Sequence, residues 1–150
     1  MHIRPTMALC AAAMLGSILS PTSARAAPLP DRATLAASAA RRFPQPVRVG
    51  SLVGRDVLQP TEAQPVLGHV EAITRRPDGT LDLVMRYGGV AGIGGRLIAV
   101  PLDAAALLGE YVSIVGLTPG QLDTLPTVPA PADPMPPEAM VTMGLVRPFH

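Results

Sequence analysis

At 150 residues, with 14 glycines and 18 prolines, the chain has room for one domain and favours short strands joined by turns over long helices. Twelve arginines, no lysine and 11 acids give a formal charge of +1, and only two tyrosines and two phenylalanines are present. This excludes nucleic acid as the expected partner, because the chain has neither a strong positive field nor rings on which bases would stack.

The first stretch, Met1 to Met7, contains Arg4 and no acid; Ala8 to Ser20 is apolar, and Pro21 to Ala26 ends in Ala24-Arg25-Ala26. This is the pattern of a secretory signal peptide over residues 1–26, and it predicts a periplasmic or secreted protein. The apolar run has 13 residues, short of the roughly 20 that a membrane-spanning helix needs, and no second run follows, so no integral span is expected in the mature chain. Leu9 stands before Cys10 where a lipoprotein signal has a small residue. Cleavage after Ala26 removes two arginines and the lone cysteine, leaving ten arginines against 11 acids. The exported chain would then have no disulfide, no thiol nucleophile and no thiolate metal site.

Residues 27–47 read as an Ala/Pro-rich linker. Asp31 is a good N-cap and the alanines after it favour helix, but Leu35 is the only large apolar side chain before Arg41-Arg42. A helix without an apolar stripe is marginal alone in water, and two arginines do not anchor a protein to lipid headgroups.

A folded domain is expected over residues 48–127. Val49 to Leu58 reads as a first strand and Val66 to Arg75 as a second. Arg76-Pro77-Asp78-Gly79 is a turn, because Pro fixes φ, Asp bonds its own backbone and Gly takes the exit; Thr80 to Tyr87 then returns. Pairing Arg76 with Gly79 makes opposed residue numbers sum to 155. This places Gly68, Val70, Ala72 and Thr74 opposite Tyr87, Met85, Leu83 and Leu81 on a core face, and His69, Glu71 and Ile73 opposite Arg86, Val84 and Asp82 on the other. Gly68 is expected to leave a gap covered by the Tyr87 ring.

Tyr87 to Leu102 holds Gly88, Gly89, Gly92, Gly94 and Gly95, a structural glycine loop where the backbone turns sharply. It is not a dinucleotide fingerprint, since Leu97 stands where a third glycine is needed and a strand follows. Nor is it a phosphate loop, since Gly95 stands where a lysine is required. Arg96 to Pro101 is the next strand, Asp103 to Gly109 a connection, and Glu110 to Val115 a further strand. Thr118, Pro119 and Gln121 then predict a short capped helix ended by Pro126. The Pro/Met-rich tail, residues 128–150, is expected to stay extended outside any sheet.

Ser51-Leu52-Val53-Gly54-Arg55-Asp56-Val57, then Leu67-Gly68-His69-Val70-Glu71, then Gly92-Ile93-Gly94 leading into Ala99-Val100-Pro101, and finally Leu117-Thr118-Pro119 to Leu125-Pro126, resemble the PRC-barrel family. The resemblance spans about residues 48 to 127. It implies an all-β fold, a small SH3-like barrel of about five to six strands with a short C-terminal helix and disordered flanks. Members such as the cytoplasmic domain of the photosynthetic reaction-centre H subunit and the C-terminal domain of a ribosome maturation factor dock onto other macromolecules and share no catalytic residues. The resemblance therefore implies a contact module with no cofactor.

The residues themselves offer little chemistry. A serine triad would need His69 with Ser51 or Ser113, and neither serine sits in a Gly-x-Ser-x-Gly elbow. His69 and Glu71, two apart on one strand face and with Asp82 on the partner strand, form an N/O set for a divalent cation; the competing reading is a solvated face with Glu71 near Arg86 and Arg75 near Asp82. Met135, Met140, Met143 and His150 form a soft set for Cu(I) in an oxidising compartment, against the reading that the tail's apolar residues fold back on the barrel or meet a partner. The sequence thus predicts an exported, non-enzymatic module that contacts an unidentified protein or envelope component, with a periplasmic metal-binding protein as the alternative.

Overall fold

The computed structural model describes residues 27–89 and 93–147, so the signal-peptide reading, Gly92 and His150 lie outside the described residues. In chain order the elements are α1 (Arg32–Ala40), β1 (Phe43–Arg48), β2 (Asp56–Leu58), β3 (Val66–Arg75), β4 (Leu81–Tyr87), β5 (Arg96–Pro101), β6 (Ala105–Leu108), β7 (Tyr111–Ile114), α2 (Pro119–Thr124) and β8 (Met140–Leu145). The eight strands form one mixed sheet in the order β1-β8-β6-β7-β2-β3-β4-β5. Only β2 with β7 and β6 with β8 run parallel. Among the described residues no ladder joins β1 to β5, so the sheet is not closed. The protein is β-rich with little helix, as its glycine and proline content predicts.

The β3–β4 hairpin departs from the expected register for a reason visible at its turn. Gly79 takes φ 84, and Arg76 N–H donates to Thr80 O (2.8 Å), so Arg76 faces Thr80 instead of Gly79. A positive-φ glycine at the loop exit adds one residue to the hairpin. Partners near the turn therefore sum to 156: Arg75 with Leu81, Thr74 with Asp82, Ile73 with Leu83, Ala72 with Val84. Glu71 is then left without a partner in β4, a bulge that returns the ladder to 155 at Val70 with Met85, His69 with Arg86 and Gly68 with Tyr87. Ile73, expected on the outer face, takes the core position meant for Ala72 and is fully buried with Leu83 and Met85.

The expected first strand is shorter than its apolar run. Val49–Ser51 forms a single 3-10 turn, and only Asp56–Leu58 is strand. Gly54 at φ 83 breaks the extended backbone between them, while Val49 and Leu52 still reach the core. Likewise the expected connection after Leu102 contains β6, which pairs antiparallel with β7.

Residues 27–47 are not a linker. Asp31 caps α1, its carboxylate accepting from Thr34 N–H at 2.6 Å, and the single large apolar side chain suffices because Leu35 is 3% exposed within the main core. Burying one leucine contributes about 2 kcal/mol. Polar ties do the rest: Arg32 donates to Asp82 (2.7 Å) and Thr80 (3.2 Å), and Gln121 donates to Pro28 O (2.7 Å). After α1, β1 pairs with β8 along its whole length.

The tail does join the sheet. Met135 N–H donates to Ile73 O (2.8 Å), Gly50 N–H to Pro137 O (2.8 Å) and Val49 N–H to Ala139 O (2.9 Å), so the proline-rich stretch serves as an acceptor-rich strap. Beyond it, β8 lies between β1 and β6 with Val141 and Met143 in the core. Prolines do fall on the edge: Pro44 and Pro46 are two apart in β1, so the side of that strand turned from β8 lacks two donors and resists adding another strand. At the opposite edge, Val128 N–H donates to Leu97 O (2.8 Å) and Thr127 bridges to Ile98.

Candidate functional site

Three neighbouring strands place a row of polar side chains on one face. In the register Asp56 of β2 faces His69 of β3, and His69 faces Arg86 of β4. Because Glu71 is the bulged residue, its side chain is free to lean across this row. One carboxylate oxygen, Oε1, lies 2.7 Å from Arg86 Nε and 3.3 Å from His69 Nε2. Both acid and imidazole side chains are about one-third exposed, so the cluster sits at the surface and not in the core. Beside it is a cavity of about 270 Å³ lined by Asp56, Val66, Gly68, His69, Arg86 and Gly89, together with Leu67 and Gly88.

Donation from Arg86 lowers the Glu71 carboxyl below its ordinary value against a smaller opposing effect of burial, and His69 adds to the lowering. A carboxyl with a lowered folded value contributes stability above its unfolded pKa, about 4.3, and loses that contribution as pH falls through the folded value. With both partners about one-third exposed, the pair is worth about 0.5 kcal/mol in water. Urea unfolding of Glu71→Gln is therefore expected to show a midpoint slightly below wild type at pH 7, with the two converging below about pH 4. A gap that widens on acidification would contradict the pairing.

The cation set expected from sequence does not assemble as a whole. His69 and Glu71 meet, but Asp82 is committed elsewhere. Its buried carboxylate accepts from Arg32 at 2.7 Å and from Arg76 Nε, where Arg75 was expected. Among the described residues no three His, Cys, Asp or Glu side chains converge as metal ligands. Met140 and Met143 are three apart on β8, so they face opposite sides of the sheet: Met140 is exposed and Met143 buried. Met135 packs against the core, and His150 is outside the described residues.

The serines are also apart from His69. The Ser113 hydroxyl is buried and donates to Leu58 O (3.4 Å), while the Ser51 hydroxyl donates to Arg48 O (2.7 Å). In the glycine loop Gly88, Gly89, Gly94 and Gly95 all take positive φ, next to the paired strand ends Tyr87 and Arg96. Arg96 then locks the loop's exit to α2, donating to the carbonyls of Leu122 (3.1 Å), Asp123 (2.9 Å) and Leu125 and lying 5.6 Å from the Tyr87 ring centre. Burial, and then the hydrogen bond to Asp123, push the Tyr87 hydroxyl up to about 12.

Asp56 is a site residue that the sequence reading left out. The signal for it was the β2–β3 register, which needs the strand start at Asp56 instead of Val49. Comparison of the chain with protein-family models, curated proteins and solved structures returns no match.

Proposed function

We propose that this protein is an exported, non-enzymatic contact module of the PRC-barrel type that docks onto another protein of the cell envelope. The sequence motifs from Ser51 to Pro126 support the family, and the Arg4, Ala8–Ser20 and Ala24-Arg25-Ala26 pattern supports export. The observation that carries the docking role is one row of the sheet. Val47 opposite Val141, Gln45 opposite Met143 and Phe43 opposite Leu145 lie along the core side of β1 and β8. Val141 and Met143 are 4% and 2% exposed, but the row continues beyond the core, where Phe43 is 68% and Leu145 40% exposed. One of only two phenylalanines in the chain thus stands in solvent beside a leucine. Aromatic side chains flanked by apolar neighbours are enriched where proteins meet. The prolines of β1 keep that contact from becoming strand addition.

A photo-crosslinking side chain placed at Phe43 in the expressed protein is expected to yield a discrete adduct with one envelope protein. The same probe at exposed Asp133 should not, and Leu145→Asp should abolish the adduct. Equal adducts at both positions, or none at Phe43, would remove the docking role.

A further inference from the structure

The cavity beside His69 has a charge pattern that selects one kind of small ligand. Glu71 holds Arg86 through Nε, and among the described residues the two terminal nitrogens of that guanidinium have no hydrogen-bond partner. Those nitrogens form the fork that grips a carboxylate with two parallel hydrogen bonds. Glu71 takes up only the Nε side of Arg86, and across the row stands the carboxylate of Asp56, which is exposed and has no ion pair among the described residues. Asp56 and Arg86 are partners of the same residue, His69, from opposite sides. Their backbones are thus two strand spacings apart, about 10 Å, with His69 between them in the row and the cavity lined by all three. Val66 and Leu67 supply an apolar wall, and Gly68, Gly88 and Gly89 supply backbone with no side chain in the way.

A simple anion at the Arg86 fork would face the carboxylates of Asp56 and Glu71, and a simple cation beside Asp56 would leave the two fork donors without an acceptor. A ligand that carries an ammonium and a carboxylate on one carbon answers both. We propose that this cavity binds a small free amino acid as its zwitterion, its carboxylate on Arg86, its ammonium toward Asp56 and its side chain against Val66. Glu71 acts as a positioning residue, because the bulge aims it at Arg86 and His69 and so fixes the fork before the ligand arrives. A cavity of about 270 Å³ is close to the lower end of ligand-pocket sizes, room for one free amino acid.

The test is a titration of isotopically labelled full-length protein with glycine, L-alanine and L-valine, followed by the amide resonances of Gly68, Gly88 and Gly89. Saturable shifts at these amides are expected, with a Kd of about 1 mM or tighter. N-acetylalanine and alaninamide, each lacking one charge, should bind about tenfold more weakly or worse. Asp56→Asn, at an exposed position that makes no side-chain hydrogen bond, should lower alanine affinity about tenfold without moving the thermal midpoint; Arg86→Lys should lower it further, because a point charge cannot replace the fork. Silent amides at about 50 mM ligand, far above the expected Kd, would overturn the proposal. So would N-acetylalanine binding as well as alanine, or an Asp56→Asn variant that binds alanine more tightly. Phe43→Ala, in a different pair of strands, should leave the titration unchanged, which separates this site from the docking surface.

Discussion

Gly68→Ala is expected to destabilise the protein by about 4 kcal/mol or more, lowering its thermal midpoint by roughly 15 °C. A β-carbon at this position would lie 1.8 Å from the carbonyl oxygen of Arg86, 2.8 Å from its carbonyl carbon and 3.3 Å from Tyr87 Cα. All three are backbone atoms of β4, so no side chain can swing aside. Relief requires parting β3 from β4 where Gly68 faces Tyr87 and His69 faces Arg86, which also dismantles the polar row. Gly79→Ala supplies the contrast. Gly79 also has positive φ, at 84, but nothing lies within 4 Å of its added β-carbon. Conformational strain alone should then cost about 1 kcal/mol. Urea unfolding of the two variants measures the difference, and a Gly68→Ala cost no larger than that of Gly79→Ala would show that the close approach is not rigid.

The same glycine shows where sequence reasoning reached and where it stopped. Its opposition to Tyr87 was legible from alternation and the turn, but the expected reason, an aromatic ring over a gap, is not the one observed. The Tyr87 hydroxyl donates to Asp123 of α2 at 2.7 Å, and it is the neighbouring carbonyl of Arg86 that requires glycine. Local chemistry read well throughout: Thr118, Pro119 and Gln121 form the expected capping box, and β3, β4, β5 and β7 fall where alternating or continuous apolar residues put them. Long-range burial did not. Leu35 looked isolated because its partners come from distant chain, with Gly116 leaving the room that its Cδ2 occupies. The parallel pairing of β8 with β6 has no signature in either segment. In the hairpin, two shifts of one residue, at Gly79 and at Glu71, cancel by Val70, so only Ala72 to Arg75 meet other partners than expected, with Ile73 in the core position meant for Ala72. The candidate site was half visible for the same reason. His69 and Glu71 share a face by their spacing, but their link through Arg86 depends on a bulge, and Asp56 depends on a third strand.

Ending the chain at Pro129 is expected to abolish cooperative folding, although the tail's prolines predict that it stays extended outside any sheet. The cut removes β8 from the second position of the sheet, which strips β1 of its whole ladder and leaves the outer side of β6 bare. It also deletes Val141 and Met143 from the core, at about 2 kcal/mol of lost burial each. The acceptors from Pro137 and Ala139 that satisfy Gly50 and Val49 go with them, as does the Met135 donor to Ile73. A buried backbone group left without a partner costs about 1–3 kcal/mol, and a domain of this size has only about 5–15 kcal/mol in total. Met143→Ala alone, by comparison, should cost about 3 kcal/mol and keep a single sharp transition. Circular dichroism melts of the two variants separate the cases. The truncated chain should melt without a sigmoidal transition, because residues 128–147 complete the sheet and the core instead of trailing from them; a native-like transition after the cut would mean that the first seven strands form a self-sufficient fold.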